Sequence, residues 1–223
     1  MKKILFIGCF AVVVFQAAAF QESYLTIGAS YKHLFTITDK RQLSDRDKGM
    51  AGGYITAYGF WNEKNIGLFA HGNWIVPVSM QKIEGDSNLD TYGGLIQEAI
   101  IGVGFRHSFS GRLILLWGIG ADLNLDMINY GFKDTKDTYS ASLVNLGIGG
   151  EAQLKFDINN VFYVAAGFSP SYTFISYTNV EKSYNGAASG WDVKSIVGIS
   201  PFIGFGFNRY DYKYWGKSKE IRQ

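Results

Sequence analysis

A chain of 223 residues with 27 Gly, 3 Pro and 16% aromatic side chains is weighted towards strands and tight turns, and it is long enough for one all-β domain of barrel or sandwich type. Its formal net charge is +2, and once Lys2 and Lys3 are assigned to a leader, 19 basic side chains face 19 acidic ones, a balance that gives no electrostatic ground for binding nucleic acid. The only cysteine, Cys9, lies in that leader, so the mature chain is expected to have no thiol, no disulfide and no cysteine-ligated metal.

Lys2 and Lys3, the apolar run from Ile4 to Phe15 and the small residues Ala17-Ala18-Ala19 predict a cleaved signal peptide over 1–19, with Phe20 or Gln21 starting the mature chain. The run is too short for a membrane anchor, which needs about 20 apolar residues.

From Leu25 onwards the pattern has a period of two, the period of a strand whose successive side chains point to opposite faces. Leu25, Ile27, Ala29, Tyr31 and Phe35 alternate with Thr26, Gly28, Ser30, Lys32 and Thr36 in the first strand, which runs into a charged loop over 38–49. A second strand, about Met50 to Trp61, has two plausible apolar sets, Tyr54, Tyr58 and Phe60 or Ile55, Ala57 and Trp61, so its facing stays open. After a short turn, Ile66, Leu68, Ala70, Trp74 and Val76 oppose Gly67, Phe69, His71 and Asn73, and a polar loop runs over 79–94. In the fourth strand Ala99, Ile101, Val103 and Phe105 oppose Glu98, Gly102, Gly104 and Arg106, and His107 to Arg112 close a short turn.

The fifth strand shows the alternation most plainly: Leu113, Leu115, Trp117, Ile119, Ala121, Leu123, Leu125 and Met127 against Ile114, Leu116, Gly118, Gly120, Asp122, Asn124 and Asp126. A polar loop over 129–142 leads to the sixth strand, where Leu146, Ile148, Leu154 and Phe156 oppose Asn145, Gly147, Glu151 and Lys155. Asp157-Ile158-Asn159-Asn160 reads as a tight turn. In the seventh strand Phe162, Val164, Phe168, Tyr172 and Phe174 oppose Tyr163, Gly167, Ser169, Ser171 and Thr173. After a loop over 178–190 the eighth sets Val193, Val197, Ile199, Ile203, Phe205 and Phe207 against Lys194, Gly198, Ser200, Gly204 and Gly206.

Eight strands joined alternately by long polar loops and short turns predict an all-β fold, an eight-stranded antiparallel transmembrane β-barrel of the outer-membrane type, over 20–207. Residues 208–223 are either the end of the last strand or a periplasmic tail. The apolar sets begin and end with aromatics, Phe105, Phe156, Phe162 and Phe207 at the short turns and Phe35, Tyr172, Phe174 and Trp191 at the long loops, as the lipid-facing girdles of such a barrel require. A soluble barrel would invert the pattern, with a polar outside and an apolar lumen.

Together with segments such as Gly118-Ile119-Gly120-Ala121-Asp122 and Gly204-Phe205-Gly206-Phe207, this layout resembles the small outer-membrane β-barrel proteins of the OmpX, OmpA-barrel and OmpW kind. The resemblance covers the mature chain and is one of pattern. It implies residence in the bacterial outer membrane after export, contact with outer-membrane lipid, and dependence on the barrel-insertion machinery. Members of that class usually end on an aromatic residue, whereas this chain passes Phe207 and continues through Tyr214 and Trp215 to a polar end.

The inner faces carry Lys32, Glu98, Arg106, Asp122, Asp126, Glu151, Lys155 and Lys194. They are expected to form a salt-bridged network, structural or gating, in which Asp122 and Asp126 reach towards Lys32 and Lys194, because unpaired buried charges are costly. The competing reading is a charged pore. The three histidines, His33, His71 and His107, are spread over different parts of the barrel and do not predict a metal site. Outer-membrane lipid A deacylases use His, Ser and Glu on such a barrel, which invites comparison with Arg106-His107-Ser108-Phe109-Ser110, but His107 would lie in a periplasmic turn with no acid to orient it. The expectation is therefore a non-enzymatic protein without cofactors, whose four surface loops serve adhesion, an extracellular or host ligand, envelope contact or membrane integrity. The alternative is an OmpW-like channel for small or hydrophobic solutes, and a minor one is a lipid hydrolase.

Overall fold

The computed structural model describes residues 20, 22–36, 48–61, 64–77, 89–132, 138–182 and 188–210. They form eight strands: β1 (Glu22–Thr36), β2 (Lys48–Phe60), β3 (Ile66–Pro77), β4 (Leu89–Ser108), β5 (Leu113–Phe132), β6 (Thr138–Asp157), β7 (Phe162–Lys182) and β8 (Ala188–Tyr210). Each pairs antiparallel with its chain neighbours and β8 pairs with β1, which closes the barrel and leaves no edge unpaired. Following partners from Trp191 through Tyr177, Val144, Leu125, Gln97, Trp74, Gly53 and Ala29 returns to β8 at Ile203, twelve positions away from the start. That stagger is what tilts the strands of a closed barrel.

The alternation decides the two faces. Ile119 is 55% exposed and Ile203 67%, whereas Leu116 and Phe69, on the opposite parity, are 0% exposed. A surface of exposed isoleucine, phenylalanine and tryptophan around a buried polar interior is stable against hydrocarbon and not against water. From Phe162 to Phe174 on β7, a tilted strand rises about 30 Å, the thickness of a bilayer core.

The second strand resolves on its register. Tyr54, Tyr58 and Phe60 are buried in the lumen, and Ile55, Ala57 and Trp61 take the outward parity. Strands β4 to β8 are 20 to 23 residues long and run into stretches expected to be loops, namely 89–94, 129–132, 138–142, 178–182 and 188–190. Beyond a bilayer both faces of a hairpin meet water, so a polar strand there loses the alternation that marks it. The seventh strand carries a bulge: Thr173 pairs with Gly147 and Ile175 with Leu146, and the exposed Phe174 is the extra residue. Residues 208–210 belong to the last strand, which reaches the last described residue, Tyr210. The expected signal peptide, residues 211–223 and the loop stretches 37–47, 78–88, 133–137 and 183–187 lie outside the described residues.

Candidate functional site in the lumen

The half of the lumen nearest the short turns is packed solid. Tyr24, Tyr58, Phe60, Phe69, Ile100, Ile114, Leu116, Tyr163 and Ala165 form one buried cluster. Glycines on neighbouring strands make the room: a side chain at Gly118 would strike the Phe69 ring, and one at Gly206 the Tyr163 ring. Tyr58 stacks on Phe69 at 5.6 Å and on Phe60 at 6.3 Å. Below this plug Lys155 Nζ lies 4.7 Å from the Tyr24 ring centre and 4.8 Å from that of Tyr163, and donates to Asp157 at 2.6 Å. Arg106 sits 5.0 Å over the Phe60 ring and pairs with Glu22, which also accepts from the Tyr24 hydroxyl.

At mid-height Glu151 is a three-donor acceptor. Its carboxylate lies 2.6 Å from His71 Nδ1 and takes bonds from the hydroxyls of Thr56 at 2.7 Å and Tyr58 at 3.1 Å. Tyr163 and Thr26 bond at 2.7 Å, and Thr26 donates to Gln153 at 3.2 Å. Nearer the long loops Lys32 pairs with Glu98 and reaches Asn124 Oδ1 at 3.5 Å, while Asn73 donates to Glu98 at 3.4 Å. Asn124 donates to Asp122 at 2.9 Å, Asn145 to Asp126 at 2.9 Å, and Ser176 to Asn145 at 2.6 Å. Met50, Ile75 and Ile96 form a small apolar cluster on the β2–β4 side of this half.

Of the expected network, Lys32, Glu98, Arg106, Asp122, Asp126, Glu151 and Lys155 all stand on the inner parity, but they divide into local groups. Lys32 bonds to Glu98 and Asn124, and its link to Asp122 runs through the Asn124 amide. Lys155 pairs with Asp157, which the sequence reading placed in a turn and which is instead buried at the end of β6. The side chain of Lys194 lies outside the described residues, as does that of Phe35. The other expected girdle residues, Phe105, Phe156, Phe162, Tyr172, Phe174, Trp191 and Phe207, stand on the outer face.

Sequence reasoning missed Glu22, Asp157, Asn73, Asn124 and Asn145 as partners of the charges. For the three asparagines the signal was present, since each shares the inner parity of its strand. Glu22 precedes the first alternating residue and carries no such mark.

The histidines do not converge. His71 is buried in the lumen, His33 pairs with outward Ile199, and His107 is exposed at the short-turn end with its ring edge-on to Phe109 at 4.9 Å. Among the described residues no group of three His, Cys, Asp or Glu could hold a metal ion. What this interior does chemically is to satisfy buried charge at close range around an apolar plug.

A closed eight-stranded barrel of this kind is found again among solved structures. Ail, the attachment invasion locus protein of Yersinia pestis, superposes with a TM-score of 0.51 at 15% identity, over 85% of this chain and 99% of that one. The chain has the fold of the small outer-membrane β-barrels. Neisserial surface protein A gives 0.51 at 10% identity over 83% and 96% of the two chains, and a major outer membrane protein of Thermus thermophilus gives 0.53 at 9% over 84% and 99%. Ail has also been solved in complex with the heparin analogue sucrose octasulfate. No protein-family model matches the sequence, and no curated protein matches it.

Proposed function

We propose that this is a non-enzymatic integral protein of the bacterial outer membrane, exported by its signal peptide and placed by the barrel-insertion machinery, whose rigid barrel presents four surface loops. The loops serve adhesion, contact with an extracellular or host ligand, or cohesion of the envelope. The observation that carries this reading is the filled lumen: the plug from Tyr24 to Tyr163 leaves the short-turn half without room for a solute, which turns function towards the loop end. The sulfated ligand of Ail, a barrel of the same fold, supports a binding role. The inward charges Lys32, Glu98, Asp122, Asp126, Glu151 and Lys155 are structural on this reading, with Arg106 closing the periplasmic floor and the outer aromatics marking the rims of the bilayer.

Planar-bilayer conductance of the refolded protein tests it. The expected record is silent, and the Phe69→Ala and Tyr58→Ala double variant, which removes two stacked rings of the plug, conducts. Steady channels in the unaltered protein would replace this reading by a conduit for small or hydrophobic solutes.

A further inference from the structure

The outer wall is not evenly bulky. On β6 the outward positions pass from Ile148 to Gly150 to Ala152, and Gly150 is buried although it has the parity of the lipid-facing set. Gly149 pairs with Ser171 and Ala152 with Phe168, which sets Gly150 across from Pro170. Glycine and proline thus meet side by side on the lipid face of two strands paired on both sides, where proline is otherwise rare because it cannot donate to the ladder. Around this low floor the register stands large side chains: Trp117 and Phe168 on the short-turn side, Ile148 and Tyr172 on the loop side, Ile119 at one end. The result is an apolar hollow of about 610 Å³ across β5 to β8. That volume falls within the roughly 300–1,000 Å³ in which pockets hold small ligands.

The hollow has a closed bottom. The bond that Pro170 cannot make is replaced from inside the barrel, where the Ser169 hydroxyl donates to the Gly150 carbonyl at 2.8 Å. It is a depression in the wall and not a passage to the lumen. Its position, between Phe162 and Phe174 on β7, is inside the hydrocarbon belt, where the covering phase is lipid. Two parallel rails with a smooth floor between them fit a slender flexible chain.

We infer that this depression is a lipid site that holds one acyl chain of an outer-membrane lipid against the wall. The inference rests on the membrane-spanning reading above. Dispersion contact with the Gly150 and Pro170 backbone is open to a chain that lies in the hollow and closed to one passing over a bulkier wall.

Trp117 on the rim is a built-in reporter. A variant keeping Trp117 alone, with the other tryptophans changed to phenylalanine, is refolded into phosphatidylcholine vesicles holding increasing fractions of chain-brominated phosphatidylcholine. A second variant keeps Trp74 alone, on the outer face of β3. The expected result is half-quenching of Trp117 at about a third of the brominated fraction needed once Pro170→Phe fills the hollow, because a seated chain holds its bromines against the indole. The same substitution at outward Ala166, outside the hollow, leaves the curve where it was. Should Pro170→Phe fail to give the heat-modifiable band of a folded barrel, Ile148→Phe supplies the bulk from the rim. Identical curves with the hollow open and filled overturn the lipid site, whereas a Trp74 that no brominated lipid quenches overturns the membrane-spanning reading itself.

Discussion

The two halves of the lumen solve the problem of a filled barrel with opposite materials. Near the short turns, rings are fitted over glycines, Phe69 against Gly118 and Tyr163 against Gly206, and charge is confined to the floor with Lys155 and Arg106. Towards the long loops, asparagines carry the load: Asn73, Asn124 and Asn145 each hold a carboxylate, and one lysine serves Glu98. The first half depends on volume and the second on valence. Damage to each should therefore be repaired by opposite means.

The largest effects fall on one residue of each half. Lys32→Met strands the buried carboxylate of Glu98 and should lower stability by about 3–5 kcal/mol in urea titration of the heat-modifiable band, and adding Glu98→Leu should restore most of it. Phe69→Ala should cost a comparable 3–5 kcal/mol, roughly, through the cavity it leaves. Here removal of a partner does not help, and new bulk at Gly118, facing the vacated space, recovers part of the loss. If Glu98→Leu fails to rescue Lys32→Met, the division between the halves is wrong.

A smaller effect is expected in the wall. Ser169→Ala leaves the Gly150 carbonyl without its donor beside Pro170, at about 1–3 kcal/mol, and should speed amide exchange along the β6–β7 seam before any other. The least is expected at the floor. Arg106→Ala breaks a partly solvated pair with Glu22 and should shift stability by no more than about 1 kcal/mol, with the lumen above unchanged.

Fold and faces were legible because parity survives without knowledge of partners: Leu113 to Met127 separates lipid from lumen residue by residue. Strand β2 was not, since an aromatic plug puts Tyr54, Tyr58 and Phe60 inside while Trp61 stands outside, and hydrophobicity then marks both faces. The pairing of charges was hidden for another reason. Parity fixes the face of Asp122 and Lys32 but not their relative height, which the stagger of the whole barrel sets. Phe174 was read as outward and is so, but the bulge it forms, which turns Ile175 outward as well, left no mark in the sequence. Gly150 and Pro170 carry no mark of their own in the sequence, and only their register makes them neighbours.

Seven of the eight seams join strands adjacent in the chain, and each of those hairpins can form from local contacts alone. The seam of β1 with β8, from Glu22 opposite Tyr210 to Thr36 opposite Ile196, is different, because it joins the first strand to the last. Its ring closure carries the greatest loop entropy of any step, yet that entropy grows only as the logarithm of length. Closure is therefore the one non-local pairing of this barrel, and it is the pairing that leaves no strand edge unsatisfied against hydrocarbon.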